Sequence, residues 1–568
     1  MRLNGAAILI ECLIEQGVGT VFGFPGGAVL PIYDELYKRQ DRIGHVLTAH
    51  EQHAGHAADG YARASGRTGV CIATSGPGAT NLVTAVATAY MDSTPVVFIT
   101  GNVPQSLMGT DSFQEADISG ITMPITKHNY MVTKVERLAE TLREAFYIAA
   151  SGRPGPVVVD IPKDVQIAET DYEPASGDAL IPKISMKHPM MQLRPEGAAL
   201  ERYKTRAMPR LEQAAQLIAE AHRPLIYCGG GVILSGAQEE LMELADRVDA
   251  PVVSTLMGLG AVPAQNERML GMLGMHGTHA ANTAMQNCDL LIAVGVRFSD
   301  RALGKAETFA PNAKVLHIDI DRAEINKNVS TTLHITGDAR VVLELLLARV
   351  SQKRHDQWML QTRGSNDEGG SERFEPRRIL KGMAAVAPDI TVATDVGQHQ
   401  MWTAQHFPFH RVRQLISSGG LGTMGFGLGA AMGAAQSDPE GKPVALVTGD
   451  GSFRMNLTEL STIAYYNIPV IVVIFNNGTL GMVRQWQTLF FGQRYSQTTL
   501  DRGPDFMKLA DAYGLKGTRV SNMNDFSEAF AAAYAEGKPC IIECVLDIDE
   551  MVAPMVAPGS PIDSFCLN

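Results

Sequence analysis

The sequence predicts an α/β fold built from three doubly wound parallel-sheet domains. Short apolar runs of strand length alternate with helical stretches, and many of these runs end at glycine-rich turns. The same alternation starts again twice, each time after a polar or proline-rich segment. With 568 residues, the chain has room for roughly three or four domains of about 100 to 200 residues each.

Composition and charge narrow the class of protein. Hydrophobic residues make up 45% of the chain and charged residues 19%, which is typical of a globular protein rather than a disordered one. The longest apolar runs, such as residues 469–475, are too short to span a membrane. The net charge of −12, with scattered Lys and Arg, argues against nucleic-acid binding. We therefore expect a soluble protein with no membrane or nucleic-acid partner.

Cysteine usage and the first residues indicate a cytoplasmic protein. The seven cysteines form no CxxC pair, so neither disulfides nor a zinc site is expected, and Cys540 and Cys544 fit inert core positions. Residues 1–16 carry Glu11 and Glu15 on an amphipathic pattern unlike that of a targeting peptide. We interpret this segment as the first helix.

The first domain is predicted over residues 1–167 and is followed by a proline-rich linker over residues 168–208. Four apolar runs of this domain are expected to be strands. They are residues 20–24, 69–74, 95–100 and 156–161.

The second domain is predicted over residues 209–350, and a polar linker with Gly369-Gly370 follows over residues 351–376. Its expected strands are residues 224–228, 251–255, 290–294 and 315–320. The third domain is predicted over residues 377–547, and a tail follows over residues 548–568.

The third domain contains the most informative pattern. An apolar run ends in Gly449-Asp450-Gly451-Ser452, and the next run, residues 469–475, ends in Asn476-Asn477-Gly478. Since the carboxyl ends of parallel strands lie at one edge of a sheet, Asp450 and Asn477 are expected to converge. Carboxylate, amide and carbonyl oxygens are the ligands that Mg²⁺ prefers, and helix amino termini favour phosphate. Alone, Gly-Asp-Gly could be an ordinary turn; the spaced Asn pair favours a Mg²⁺-diphosphate site.

Gly-Asp-Gly followed at this spacing by Asn-Asn resembles the fingerprint of the thiamine diphosphate enzymes. The resemblance implies that the side chains of Asp450 and Asn477 and the carbonyl of Thr479 hold the metal. It also implies a set of cofactor-binding residues in the first and third domains. They are Pro25, Gly27, Glu51, Asn81, Val396, Gly397, Gln398, His399, Met424, Gly449, Asp450, Gly451, Ser452, Asn477, Gly481 and Met482.

Glu51 is the candidate for activating the cofactor. Thiamine chemistry removes a proton from thiazolium C2, which requires a carboxyl group that shares a proton with the pyrimidine N1′. Burial in apolar surroundings raises the pKa of a carboxyl group and makes such sharing practicable. An isolated Glu at this place could simply be a solvated helix-start carboxylate. The segments 50–66 and 74–81 resemble the pyrimidine-binding domain of the family, in which Glu51 falls at the activating position.

Three histidines surround Glu51 in the sequence. His50, His53 and His56 do not form the HExxH zinc pattern, because its second histidine would fall on Ala54. We expect these histidines to make local hydrogen bonds, with His53 or His56 lining the pocket as an alternative.

Within this superfamily, the chain resembles the acetohydroxyacid (acetolactate) synthases along nearly its whole length. The matching motifs are Phe24-Pro25-Gly26-Gly27-Ala28, Gly109-Thr110-Asp111-Ser112-Phe113-Gln114, residues 155–164, Gly274-Met275-His276-Gly277, Arg297-Phe298-Ser299-Asp300-Arg301, Gly397-Gln398-His399-Gln400-Met401-Trp402 and Gly481-Met482-Val483-Arg484-Gln485-Trp486. Two departures are that Phe24 stands in place of the usual Tyr and Ser299 in place of an Asp.

The resemblance implies a reaction and residues for it. Pyruvate would be decarboxylated and its two-carbon unit joined to pyruvate or 2-oxobutyrate, as in isoleucine and valine biosynthesis. Arg301 would bind the carboxylate of the second oxoacid, and Trp486 would form a wall for its alkyl group. Gln114 and Lys163 match the active-site entrance, and Met424 matches the side chain that bends the cofactor. On the residues alone, Arg301 could make a surface salt bridge, and Trp486 and Met424 could be core residues.

A flavin is also implied for the second domain. Tyr227-Cys228-Gly229-Gly230-Gly231 follows a strand but lacks a GxGxxG motif, so the residues alone are weak support for a dinucleotide. The family resemblance implies FAD in a structural role. Its implied binding residues are Arg153, Thr255, Leu256, Met257, Gly274, Met275, His276, Gly277, Gly295, Arg297, Arg301, Asp319, Ile320, Gly337 and Asp338.

The resemblance further implies a homodimer or homotetramer with shared active sites, a separate small regulatory subunit, and a tail that closes over the active site. A pyruvate oxidase that uses thiamine and flavin, or a simple 2-oxoacid decarboxylase, stays open as an alternative. A catalytically silent cofactor-binding or regulatory protein on this fold is a further alternative. The intact Glu51, Asp450 and Asn477 argue against the silent protein.

Overall fold

The computed structural model describes residues 1–177, 195, 197–363 and 372–567. Three six-stranded sheets, all with parallel strands, organise these residues, and helices cover the sheets. The predicted α/β class is confirmed. Every run that the sequence suggested as a strand forms one, with ends that shift by one or two residues. No helix within the described ranges is long and apolar enough to cross a membrane.

The first sheet, in domain 1, has the strand order β3-β2-β4-β5-β7-β6, and β1 pairs separately with β8 in antiparallel fashion. The strands are β1 (Arg2–Asn4), β2 (Thr20–Phe24), β3 (Gly44–Leu47), β4 (Gly69–Ala73), β5 (Val96–Asn102), β6 (His128–Met131), β7 (Val157–Pro162) and β8 (Glu169–Asp171). The helices are α1 (Gly5–Glu15), α2 (Leu30–Lys38), α3 (Glu51–Ser65), α4 (Pro77–Thr80), α5 (Val83–Met91), α6 (Ile118–Thr122), α7 (Leu138–Ala150) and α8 (Lys163–Ile167).

The second sheet, in domain 2, has the order β11-β10-β9-β12-β13-β14. The strands are β9 (Pro224–Cys228), β10 (Val252–Ser254), β11 (Met269–Met272), β12 (Leu290–Val294), β13 (Lys314–Asp319) and β14 (Leu333–Thr336). The helices are α9 (Gly197–Glu220), α10 (Gly230–Ser235), α11 (Gln238–Val248), α12 (His279–Asn287), α13 (Asp300–Leu303), α14 (Ala339–Leu347) and α15 (Asp356–Thr362).

The third sheet, in domain 3, has the order β16-β15-β17-β18-β20-β19, and the tail adds a two-stranded antiparallel pair. The strands are β15 (Thr391–Thr394), β16 (Leu415–Ile416), β17 (Val444–Gly449), β18 (Val470–Asn476), β19 (Lys516–Val520), β20 (Cys540–Val545), β21 (Met555–Val556) and β22 (Phe565–Leu567). The helices are α16 (Pro376–Val386), α17 (Gln398–His406), α18 (Gly427–Ser437), α19 (Asp450–Phe453), α20 (Leu460–Tyr465), α21 (Gly481–Phe490), α22 (Phe506–Ala512) and α23 (Met523–Glu536).

Both predicted linkers contain regular structure, which corrects their interpretation. Helix α9 begins inside the segment 168–208, because Tyr203 and Ala207 continue the buried stripe of Leu211 and Ile218 at helical spacing. The phenol of Tyr203 donates to the carbonyl of Thr336 (3.0 Å), which ties this part of the segment to domain 2. Helix α15 occupies part of the segment 351–376. The remainder of each predicted linker lies partly outside the described residues.

Domains 1 and 3 meet where α3 crosses α18. Small residues allow the two backbones to approach, since a Cβ on Gly60 would overlap Ala430 and a Cβ on Gly433 would overlap the carbonyl oxygen of Ala57. The apolar residues around this crossing belong to one continuous core that is shared by both domains. The crossing therefore fixes how the first sheet is oriented relative to the third.

We predict that Gly433→Ala lowers the free energy of unfolding by about 1 to 3 kcal/mol, because the added methyl overpacks the crossing. Urea unfolding measures the change. The matched control is Gly19→Ala, because no atom lies within 4 Å of a Cβ added there. Equal stabilities of the two variants would show that the crossing is not tightly packed.

Candidate functional site

The order in which strands are added to the third sheet reverses between β15 and β17. From β15 the chain continues to β16 on one side, whereas β17 lies on the other, so the loops after β15 and β17 flank a crevice at the carboxyl edge. Open α/β sheets bind ligands at this kind of position. The loop after β15 carries Val396 and Gly397, and Asp450 begins α19 directly after β17. Asn477 follows the adjacent strand β18, so the predicted convergence is observed.

Asp450 is the central polar group of this crevice. It is 1% exposed, and its Oδ2 atom is buried without a hydrogen-bond partner among the described residues. Burial raises the pKa of Asp450 to about 6, although backbone N–H groups of Gly451 and Asn477 act to lower it. A buried carboxylate oxygen with no partner suits a cation, so this residue fits the predicted metal ligand.

Asn477 and Thr479 are held in place beside Asp450. The amide nitrogen of Asn477 donates to Oε1 of Gln398 (3.0 Å), which leaves its amide oxygen as the atom available to a cation. The hydroxyl of Thr479 donates to the carbonyl of Thr498 (2.8 Å), and this bond fixes the backbone at Thr479. The described residues contain no cluster of three His, Cys, Asp or Glu side chains for a metal. A metal here would depend on amide and carbonyl oxygens in addition to one carboxylate.

The predicted diphosphate-binding residues surround the same crevice. A Cβ on Gly449 would lie 2.8 Å from Nδ1 of His399, and a Cβ on Gly481 would overlap the Gln398 amide, so both positions require glycine. Burial lowers the pKa of His399 to about 3, so this histidine is neutral near pH 7. Its Nε2 atom is buried without a partner among the described residues and is available to a ligand. Gly451 and Ser452 lie in the first turn of α19, and the N-terminal end of a helix favours phosphate.

The predicted residues of domain 1 lie at the carboxyl edge of the first sheet. Glu51 begins α3, and its Oε2 atom accepts a hydrogen bond from the side chain of Asn81 (2.9 Å). Pro25 and Gly27 follow β2, and Lys163 begins α8 directly after β7. Gln114 also lies at this edge, since a Cβ on Gly76 would be 2.7 Å from its carbonyl oxygen.

Glu51 is half-buried within the single chain, whereas the sequence suggested a fully buried carboxyl group. The side chain is bonded to Asn81 of the same domain, and Glu51 does not line the large cavity described below. Its remaining exposed surface is therefore left uncovered by its own chain.

A cavity of about 950 Å³ lies between the three domains. This volume is at the upper end of the range for ligand pockets, roughly 300 to 1,000 Å³. Most residues predicted for FAD line it. They are Arg153, Thr255, Leu256, Met257, Met275, His276, Gly295, Arg297, Arg301, Asp319, Ile320 and Asp338. Val396, Gly397 and Met482 of the predicted thiamine set line the same cavity, which therefore joins domains 2 and 3.

Three glycines predicted for FAD do not line this cavity. Gly274 donates its N–H to the side chain of Asn282 (3.0 Å), and a Cβ on Gly277 would lie 2.5 Å from the same side-chain oxygen. A Cβ on Gly337 would overlap the phenol of Tyr203. These glycines permit close packing inside domain 2.

Some polar and charged residues in the cavity wall belong to no recognisable sequence motif. Arg153 donates to Asp321 (3.0 Å) and Glu324 (2.8 Å) through Nη1, and to Ser93 (2.8 Å) through Nε. Ser93 and Glu324 line the cavity, yet neither belongs to a sequence pattern that signals binding. Burial raises the pKa of Asp319 to about 7. The cavity therefore has both cationic and carboxyl groups in its wall.

Arg301 and Trp486 come together from different domains. The Arg301 guanidinium lies 6.0 Å from the centre of the Trp486 ring, and both side chains line the cavity. The Arg301 side chain is 65% exposed and Trp486 is half-buried, so neither is a core residue. Met424 is half-buried next to Gly425, whose N–H donates to Asp395 (2.8 Å), and it does not line the cavity.

The tail bridges domains 2 and 3 next to Arg301. The N–H of Val556 donates to the carbonyl of Met275 (2.8 Å) in domain 2. The Gln485 side chain accepts from the N–H of Val552 (2.8 Å) and donates to its carbonyl (3.0 Å) in domain 3. Arg301 and residues 556–559 share the wall of a smaller cavity.

The histidines before and within α3 do not line this cavity, and neither does Glu51. His50 caps α3, where its Nδ1 accepts from the N–H of Gln52 (3.1 Å). His53 contacts Glu459 of domain 3 (3.0 Å), and His56 is fully buried against the ring of Phe426. All three make local or interdomain contacts.

The fold and the crevice define a three-domain protein that binds thiamine diphosphate. The chain matches three family models, described as the N-terminal TPP binding domain, the central domain and the C-terminal TPP binding domain of thiamine pyrophosphate enzymes. The matched residues are 3–121, 211–346 and 395–544, respectively.

Similar proteins carry a more specific name. The probable acetolactate synthase large subunit of Methanocaldococcus jannaschii is 47% identical, covering 98% of this chain and 94% of that protein. The acetolactate synthase isozyme 2 large subunit of Escherichia coli is 46% identical, covering 98% of each chain. The acetolactate synthase large subunit of Corynebacterium glutamicum is 46% identical, covering 98% of this chain and 89% of that protein. The chain belongs to the acetolactate synthase large-subunit family of thiamine pyrophosphate enzymes, which confirms the predicted resemblance.

We predict that Asp450→Asn stabilises the metal-free protein more at pH 7.5 than at pH 5. The pKa of about 6 in the folded state exceeds the ordinary value of 3.8, so stability from the protonated carboxyl is lost as pH rises through 6. The added stabilisation is about 1 kcal/mol between the two pH values, since one pKa unit corresponds to about 1.4 kcal/mol. Urea unfolding in the presence of a chelator measures it.

The control for this prediction is Asp501→Asn, because Asp501 is exposed at the surface. It should change stability equally at both pH values. An Asp450→Asn effect that is the same at pH 5 and pH 7.5 would contradict the raised pKa.

Proposed function

We propose that the protein decarboxylates pyruvate and joins the two-carbon unit to a second 2-oxoacid. Pyruvate as acceptor gives 2-acetolactate, and 2-oxobutyrate gives 2-aceto-2-hydroxybutyrate, the precursors for valine and isoleucine biosynthesis. The observation that carries this proposal is the pairing of Arg301 with Trp486 at 6.0 Å in the wall that also contains Val396 and Met482. The names of the relatives support the same activity.

Arg301 and Trp486 give the second oxoacid a defined place. The guanidinium can bind a carboxylate with two parallel hydrogen bonds. The indole forms an apolar wall for a methyl or ethyl group. A simple decarboxylase has no need of such an acceptor site, whereas a synthase requires one.

We propose that Mg²⁺ binds to the side chains of Asp450 and Asn477 and to the carbonyl of Thr479. The unpaired Oδ2 of Asp450 supports this assignment. Thiamine diphosphate, when bound, supplies an electron sink for the negative charge left by loss of CO₂. Glu51 holds a proton at N1′ of the pyrimidine, and Gln114 and Lys163 lie at the entrance on the same edge of domain 1.

We also propose that FAD occupies the cavity of about 950 Å³ in a structural role. Twelve of the fifteen predicted flavin residues line this cavity, and Arg153 and Arg297 provide positive charge for a diphosphate. Burial, together with the nearby Arg153, lowers the pKa of Arg297, so its positive charge is incompletely compensated and an anionic ligand would stabilise it.

The direction of the first sheet supports an active site shared between two subunits. The residues of domain 1 that line the cavity, including Asp92, Ser93 and Arg153, precede β5 and β7 and so lie at the amino edge. Glu51 and Asn81 lie at the carboxyl edge. A strand of seven residues such as β5 separates the two edges by roughly 20 Å, at about 3.3 Å per residue. Glu51 therefore serves the cofactor of another subunit in a homodimer or homotetramer.

We also propose that a small regulatory subunit binds this chain, because relatives are named as large subunits.

The state of the cysteines fits a reducing compartment such as the cytoplasm. All seven are free, and six of them are buried.

We predict acetolactate formation from pyruvate with Mg²⁺ and thiamine diphosphate, in the presence of FAD. Arg301→Gln should lower the use of 2-oxobutyrate and pyruvate as acceptors by about tenfold to a hundredfold, because one charge-assisted contact is lost. The two products are quantified by mass spectrometry. Arg322→Gln, at a position outside the cavity lining, is the control. Acetaldehyde or acetyl phosphate without acetolactate would favour the decarboxylase or the oxidase instead.

Mixed subunits test the shared site. We expect Glu51→Gln and Asp450→Asn chains to be nearly inactive alone but to recover about a quarter of wild-type activity when coexpressed. About half of randomly assembled dimers are mixed, and one of the two sites in each mixed dimer has both residues intact. Activity per milligram of the total protein purified from the coexpressing cells measures this recovery. If each site were formed by one chain, both sites of the mixed dimer would carry a lesion and no activity would return.

A further inference from the structure

Domain 3 contains a buried carboxylate that does not belong to the metal site. Glu459 is 0% exposed and lies in the turn between α19 and α20, so it shares the β17–α20 connection with Asp450. Its interactions reach into domain 1 rather than toward the crevice.

The carboxylate of Glu459 accepts a cluster of hydrogen bonds from domain 1. Oε1 accepts from the N–H of Ala49 (3.0 Å) and the N–H of His50 (3.1 Å). The same atom lies 3.0 Å from Nδ1 of His53, and Oε2 lies 3.1 Å from the N–H of Ala49. Oε2 also accepts from the hydroxyl of Thr462 (2.7 Å), its one hydrogen-bond partner among the described residues of domain 3.

A carboxylate in this environment is costly unless its oxygens are hydrogen-bonded. Among the ion pairs of the described residues, Glu459 has no Lys or Arg partner and contacts only His53. Backbone N–H groups and a hydroxyl therefore make up most of its compensation. The acceptor oxygens belong to domain 3 and most of the donors belong to domain 1. The carboxylate therefore fixes the position of the donor segment, Ala49 and His50.

The donor segment immediately precedes Glu51. Ala49 and His50 connect β3 to α3, and α3 begins at Glu51. The position of their N–H groups sets where the helix starts and in which direction its first side chain leaves the backbone. Asn81 then holds the Glu51 carboxylate at 2.9 Å. Glu459 thus fixes the backbone, and Asn81 fixes the side chain.

We infer that Glu459 is a positioning residue that holds Glu51 in its activating place from domain 3 of the same chain. This inference rests on the proposed role of Glu51 at the cofactor. Since Glu51 serves another subunit, the β17–α20 connection carries the metal ligand of one site and the support for the activating carboxylate of the other.

The first test uses Glu459→Ala, with Glu459→Gln as a milder second variant that preserves side-chain size. We expect kcat to fall at least about tenfold, since a displacement near 1 Å can cost a hundredfold. The KM for pyruvate and the thiamine diphosphate concentration for half-saturation should stay within about threefold, because Glu459 lies outside the binding crevice. Glu35→Gln, which alters a buried carboxylate on α2, is the matched control.

A second readout does not depend on catalysis. Hydrogen exchange of the cofactor-free protein should become faster at the amides of Ala49 and His50 in the Glu459 variants, while other core amides stay protected. Unchanged kcat despite faster exchange at these amides would overturn the inference. A loss of activity that is explained by loss of thiamine diphosphate binding would also overturn it.

Mixed subunits assign the lesion to one domain. Chains with Glu459→Gln should recover activity with Asp450→Asn chains but not with Glu51→Gln chains, because the lesion acts through Glu51 of its own chain. The reverse pattern would place Glu459 in the diphosphate site and contradict the inference.

If Glu51→Gln and Asp450→Asn chains fail to complement each other, the shared-site proposal fails. The amide exchange and kcat of the single variants then still decide the role of Glu459.

Discussion

The direction of the strands is the constraint on which the rest of this structure depends. In each of the three sheets all strands are parallel, so every loop that can hold a ligand next to a helix amino terminus lies at one edge. Domains 2 and 3 turn their carboxyl edges toward the common cavity, whereas domain 1 contributes its amino edge. The crossing of α3 over α18, which glycines at positions 60 and 433 make possible, fixes this arrangement.

Two consequences follow for the chemistry. Within one chain, the Arg301 and Trp486 pair, the cavity and the Asp450 crevice form a continuous region, so the proposed metal, flavin and acceptor sites adjoin one another. The Glu51 edge lies apart from this region, and Glu51 is half-buried in the single chain. A carboxyl group that activates a cofactor works best when desolvated, and a second subunit would supply the missing cover.

Local patterns in the sequence were sufficient for the strands and for the Asp450 crevice, because short apolar runs and glycine turns encode both. The start of α9 at Gly197 could not be predicted from the sequence. The first buried residues of this helix follow a proline-rich stretch that hides the helical spacing. The flavin glycines 274, 277 and 337 matched a motif, but their physical requirement is close packing within domain 2.

Glu459 and Ser93 could not be found from the sequence, because each acquires its partners only when domains pack together. We propose that one catalytic centre contains Glu51 of one chain and Asp450 of another. The most direct measurement is a cryo-electron microscopy structure of the protein with Mg²⁺ and thiamine diphosphate. We predict that the pyrimidine N1′ lies within hydrogen-bond distance of Glu51 from one subunit while the diphosphate metal is bound by Asp450 of the other. Both residues reaching the same cofactor from a single chain would contradict the account.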